Sequence, residues 1–106
     1  MAVETIAHKP DLTKEQAMEI FRKEFAGKYQ VEEFQGLLRD FIVVKNAFVG
    51  VAIKLEQGDK ETKFVFAGLA PKLWARMLLG ALIGALLWNG LTNEVQAFMK
   101  TAPEFQ

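Results

Sequence analysis

Residues 77–88 run Met-Leu-Leu-Gly-Ala-Leu-Ile-Gly-Ala-Leu-Leu-Trp, without one polar side chain. Twelve residues are more than three helical turns, so a helix here has no polar side. The helix predicted over about 73–91 must therefore be buried on more than one face, against protein or against lipid. Placed at about 100° per residue, its side chains separate into two groups. One stripe collects Met77, Gly80, Ala81, Gly84, Trp88 and Leu91, and continues through Val95, Phe98 and Met99. The opposite side collects Leu78, Leu79, Leu82, Ile83, Leu86 and Leu87, and then becomes polar at Asn89, Asn93, Gln96 and Lys100.

The continuous stripe is what a helix packed along a sheet shows, with small residues where the backbones approach. The leucine-rich side is an addition confined to about three turns. Burying its six side chains contributes roughly 9–18 kcal/mol gross, at about 1.5–3 each. Left in water they form an apolar patch at or above what monomers tolerate. Three covers are open: the same face of a second copy, a lipid bilayer, or another part of the same chain. Lipid is favoured by the small-xxx-small pair Gly80 and Gly84 and by Trp74 and Trp88 as interfacial residues. Lys72 and Arg76 would then hold the N-terminal part in the cytoplasm. Against lipid, only 17 residues separate Arg76 from Glu94, about 26 Å of helix, where a span needs about 20.

Upstream the pattern changes. Thr13 is a helix N-cap, with Gln16 three residues on to complete a capping box. Leu12 and Ala17 stand at the staple positions. Ala17, Ile20, Phe21, Glu24 and Phe25 follow helical spacing, and Gly27 suits the stop. Strand patterns follow. Residues 29–34 read as an edge strand, Gln35–Gly36 as a turn, and 37–44 as a strand carrying Phe41, Ile42, Val43 and Val44. A tight turn at Lys45–Asn46 or Asn46–Ala47 leads into 48–56, where Val49, Val51, Ile53 and Leu55 share one face and Lys54 and Glu56 the other. A polar loop at 57–61 precedes the last strand, 64–69. Pro71 suits the first turn of the final helix, which runs to about Lys100 with a bend near Gly90. The connections are short, which predicts an antiparallel meander.

The expected fold is α+β: helix, four-stranded antiparallel meander, long C-terminal helix, with both helices on one face of the sheet. Residues 1–11 read as a flexible tail, 12–100 as a single domain and 101–106 as a second tail. The first eleven residues are polar and lack the apolar core of a signal peptide. The chain has no cysteine, which excludes disulfides and thiolate metal sites and favours the cytoplasm. Thirteen basic residues are matched by thirteen acidic ones, so nothing points to nucleic acid.

Few residues invite a chemical role. His8 is the only histidine and sits in the predicted tail. Glu32 and Glu33 are adjacent on a strand and point to opposite faces. Arg39–Asp40 reads as a turn or a rim ion pair, and Asp59 and Glu61 are balanced by Lys60 and Lys63. Arg76, one turn inside an apolar helix, either snorkels to water or meets an acidic residue or an anion. Phosphate-cradling glycine patterns and a Ser–His–acid set are absent, and no cofactor is expected.

The chain resembles a group of small uncharacterised bacterial proteins. Its matching pieces are Lys9 to Thr13, the alternation from Val49 to Leu55, and Gly68–Leu69–Ala70–Pro71 followed by Trp74 and Arg76. The resemblance implies no activity. The functional expectation is a non-enzymatic cytoplasmic module that forms a homodimer through Leu78, Leu79, Leu82, Ile83, Leu86 and Leu87. The alternatives are a membrane-anchored domain with a short span at 73–91, and a carrier of an apolar ligand between the sheet and the last helix. The carrier reading requires a cavity beside Gly80 and Gly84.

Overall fold

A computed structural model describes residues 2–36, 39–46, 49–68 and 90–106. In chain order the elements are β1 (Ala2–Ile6), α1 (Lys14–Glu24), β2 (Gln30–Gly36), β3 (Arg39–Val44), β4 (Gly50–Gln57) and β5 (Thr62–Gly68). Helix α2 (90–101) and a 3-10 turn (Pro103–Phe105) follow. The fold class is α+β, as expected, but the sheet has five strands and not four.

Helix α1 starts as its sequence requires. Thr13 Oγ1 accepts from the Gln16 backbone N–H at 3.1 Å, and Gln16 Oε1 accepts from the Thr13 N–H at 3.0 Å, satisfying two otherwise orphan donors. The chain leaves the helix through Gly27, whose φ of +78° lies in the left-handed region, which L side chains resist. The β3–β4 turn is held by Asn46, whose Oδ1 accepts from the Val49 N–H at 2.9 Å.

The strands lie in the order β1-β5-β4-β3-β2, and every pairing is antiparallel. The meander β2 to β5 matches the expectation. The fifth strand is β1, inside the segment read as a tail. It pairs with β5 from Ala2 opposite Phe66 to Ile6 opposite Thr62. Both edges of the sheet are thus joined through α1, which carries the chain from β1 to β2.

Alternation decides which residues make the core. Val31, Phe41, Val43, Val51, Ile53, Phe64 and Phe66 line one sheet face and are buried with Ala17, Phe21 and Phe25 of α1 and Leu91, Val95 and Met99 of α2. Phe21 stands at the centre. Its ring centroid is 5.2 Å from Phe41, 5.6 Å from Phe64, 5.1 Å from Phe98 and 5.7 Å from Phe105, within the range of favourable aromatic pairs. The other sheet face is apolar at its middle: Ile42, Ala52 and Val65 are buried there, outside that cluster. Burial on both faces is why β3 reads as an unbroken apolar run.

The second expected tail is also part of the core. Phe105 is 1 % exposed and its ring lies 5.0 Å from that of Phe64. The Phe105 carbonyl accepts from the Ala7 N–H at 3.2 Å, so the two ends of the chain hold each other. Phe105→Ala is expected to lower the unfolding free energy by about 3–5 kcal/mol in urea titration. A loss within about 0.5 kcal/mol, the usual effect of a surface substitution, would restore the tail reading.

Candidate functional site

Helix α2 divides into a buried side and an exposed side. Leu91, Val95 and Met99 are buried and Phe98 packs against the same core. Asn93, Ala97 and Lys100 are exposed. The described helix therefore follows the stripe expected from the sequence through its last three turns. The predicted association residues Leu78, Leu79, Leu82, Ile83, Leu86 and Leu87 lie outside the described residues. So do Arg76 and the Gly80 and Gly84 of the carrier reading. Among the described residues no helix is long and apolar enough to cross a membrane.

The structure brings together a polar cluster that sequence spacing does not reveal. Lys28 Nζ donates to Glu94 Oε2 at 2.5 Å, and Tyr29 Oη donates to Glu94 Oε1 at 2.9 Å. Gly27 sets the direction of this short connection, so Lys28 and Tyr29 reach α2 some 65 residues along the chain. The Lys28 bond holds the Glu94 carboxyl below the usual carboxylate range; partial burial opposes this and the Tyr29 bond reinforces it. Glu94 in turn raises the Lys28 ammonium, while burial and then the Glu94 bond raise the Tyr29 phenol. The arrangement is a clamp between the α1–β2 connection and α2. Its carboxylate is committed to two donors and its phenol is held protonated, which is poor preparation for proton transfer at neutral pH.

A second cluster gathers around Thr62, the one polar residue among the described ones that is fully buried. Its hydroxyl accepts from the Lys9 N–H at 2.9 Å and donates to Gln57 Oε1 at 2.6 Å. Gln57 Nε2 donates to the Lys9 and Leu12 carbonyls at 2.7 and 2.9 Å. This network straps the β1–α1 connection to the β4–β5 hairpin. His8 is exposed, with Nδ1 3.3 Å from the Thr62 hydroxyl.

The remaining candidates are dispersed. Glu32 and Glu33 are exposed on β2. Asp40 Oδ2 accepts from the Leu55 N–H at 2.8 Å, a cross-strand bond of β3 to β4. Glu61 and Glu56 lie 3.5 and 3.8 Å from Lys63. Among the described residues no set of His, Asp and Glu side chains converges as metal ligands would. A shallow groove of about 280 Å3 between α1 and the C-terminal turn is lined by Ile20, Phe98 and the charged Lys23, Glu24 and Glu104.

Two tests follow from these clusters. Thr62→Val keeps the volume but strips the Lys9 N–H of its acceptor, and is expected to cost about 1–3 kcal/mol in chemical denaturation. For the clamp the signs are set by linkage. Glu94 has a lowered folded pKa, so its contribution holds above the ordinary value of about 4.3 and fades as pH falls through the lowered one. Lys28 and Tyr29 have raised pKa values, so theirs hold at neutral pH and fade as pH rises through those values. Glu94→Gln should therefore lower the melting temperature at pH 7, and the gap should close as pH falls below about 4. A gap that stays constant down to pH about 3 would contradict the clamp.

No protein-family model, curated protein or solved structure matches this chain.

Proposed function

We propose that this chain is a non-enzymatic module that self-associates as an isologous dimer through Leu78, Leu79, Leu82, Ile83, Leu86 and Leu87. The observation that carries the reading is the division of α2. Its Leu91, Val95 and Met99 side complements the domain's own core, and its Asn93, Ala97 and Lys100 side faces solvent. By a helical spacing of about 100° per residue, the sequence upstream puts Leu86, Leu82 and Leu79 in phase with Asn93 and Lys100, and Gly84, Ala81 and Met77 in phase with Leu91. Large apolar side chains in phase with a solvent side would favour a partner, and a two-fold contact would cover both copies with one surface.

Sedimentation equilibrium of the full chain without detergent is expected to show a concentration-dependent dimer. Leu82→Lys and Leu86→Lys should each weaken it by at least about ten-fold, or about 1.4 kcal/mol, with little change in unfolding. A monomer that persists at high micromolar concentration would overturn the proposal. So would recovery of the chain in the membrane pellet when detergent is omitted, which would favour the single-span anchor.

A further inference from the structure

The two edges of the sheet are built differently. At one edge, β2 carries the adjacent exposed charges Glu32 and Glu33, and its register with β3 shifts between Glu33 and Gly36. Charges and bulges are the usual means of keeping a second strand away. At the other edge, β1 reads Ala-Val-Glu-Thr-Ile. It has no proline, no lysine and no register shift, and it contains three β-branched residues. Val3 is 51 % exposed and is the one large hydrophobic residue so exposed among those described. No described strand lies beside the outer edge of β1.

We infer that this open edge is a second, weaker self-association site, in which β1 pairs antiparallel with β1 of another copy. The geometry suits a second copy in particular. An antiparallel self-pairing has its two-fold axis normal to the sheet, so residues of one face meet residues of the same face. In the register that pairs all five residues, Ala2 meets the other copy's Ile6, and Val3 meets its Thr5. The first pair joins the half-buried residues on the helix side; the second joins two exposed β-branched residues, a favourable cross-strand combination. Glu4 then meets its own mate at the axis. Each Glu4 already has Lys100 Nζ at 4.0 Å and the Gln96 amide at 3.2 Å, so two carboxylates come together with two ammonium groups and the charges balance. Pairing of a five-residue strand buries less than a standard interface of about 1,200–2,000 Å2, so the contact is weak alone. With the leucine-rich face it makes two different isologous contacts, which together build higher-order assemblies.

Sedimentation velocity of the full chain and of Val3→Lys, Leu82→Lys and the double variant, over about 10–500 μM, separates the two surfaces. The edge predicts that Leu82→Lys still associates weakly, and that adding Val3→Lys weakens this by about ten-fold or more. Val3 is exposed, so the melting temperature should hold. An independent readout is hydrogen exchange of the β1 amides, expected to slow with protein concentration in the unmodified chain. If Leu82→Lys is monomeric throughout, or β1 exchange does not depend on concentration, the edge proposal fails and the leucine-rich face stands alone. If Val3→Lys lowers association and Leu82→Lys does not, the edge stands and the leucine-rich face fails.

Discussion

The packing of Phe21 against rings from four other elements is the constraint on which this small domain depends. Its partners come from β3, β5, α2 and the C-terminal turn. Each such pair adds about 0.5–1.5 kcal/mol beyond the area it buries, and no local stretch of chain supplies more than one or two of them. A chain of 106 residues has a modest core, so pinning helix, sheet and C-terminus to one ring is an economical route to a single native state.

That packing also fixes the rotation of α2. With Phe98 against Phe21 and Phe25, the side bearing Leu91, Val95 and Met99 must face the sheet, and Glu94 is brought to Lys28 and Tyr29. The clamp and the aromatic cluster thus set the same rotation, one at the wet rim and one in the dry core. The functional reading depends on this rotation. The helical spacing that puts the upstream leucines in phase with Asn93 and Lys100 takes its starting point from it.

Local physics made much of the fold legible. The Thr13–Gln16 capping box, the alternation from Val49 to Leu55 and the Asn46 turn are short-range features, and each appears where the residues place it. The run Phe41 to Val44 marked β3 as a strand, and the structure buries Phe41 and Val43 on one face and Ile42 on the other. What escaped depends on contacts far apart in sequence. Strand β1 exists because Ala2 to Ile6 meet residues 62–66, and its polar Glu4 is accommodated by Gln96 and Lys100. Phe105 looked like a tail residue because its partners, Phe21 and Phe64, precede it by 84 and 41 positions. The Lys28–Tyr29–Glu94 clamp leaves no spacing signal for the same reason. Of the site residues expected from sequence, Arg76 and the six leucine-rich positions lie outside the described residues, and the case for the leucine-rich six stands on the helical spacing of the sequence.

The chain contains no cysteine, so a single introduced thiol reports on one position without interference. Maleimide labelling of Leu82→Cys at increasing protein concentration tests the central claim most directly, with Met99→Cys and Lys100→Cys as references for core and solvent. A self-association surface gives a thiol at position 82 that reacts as freely as that at 100 in dilute protein and becomes protected as concentration rises. Protection at position 82 equal to that at 99 even at the lowest concentration would place the leucine-rich face inside the monomer and contradict the dimer.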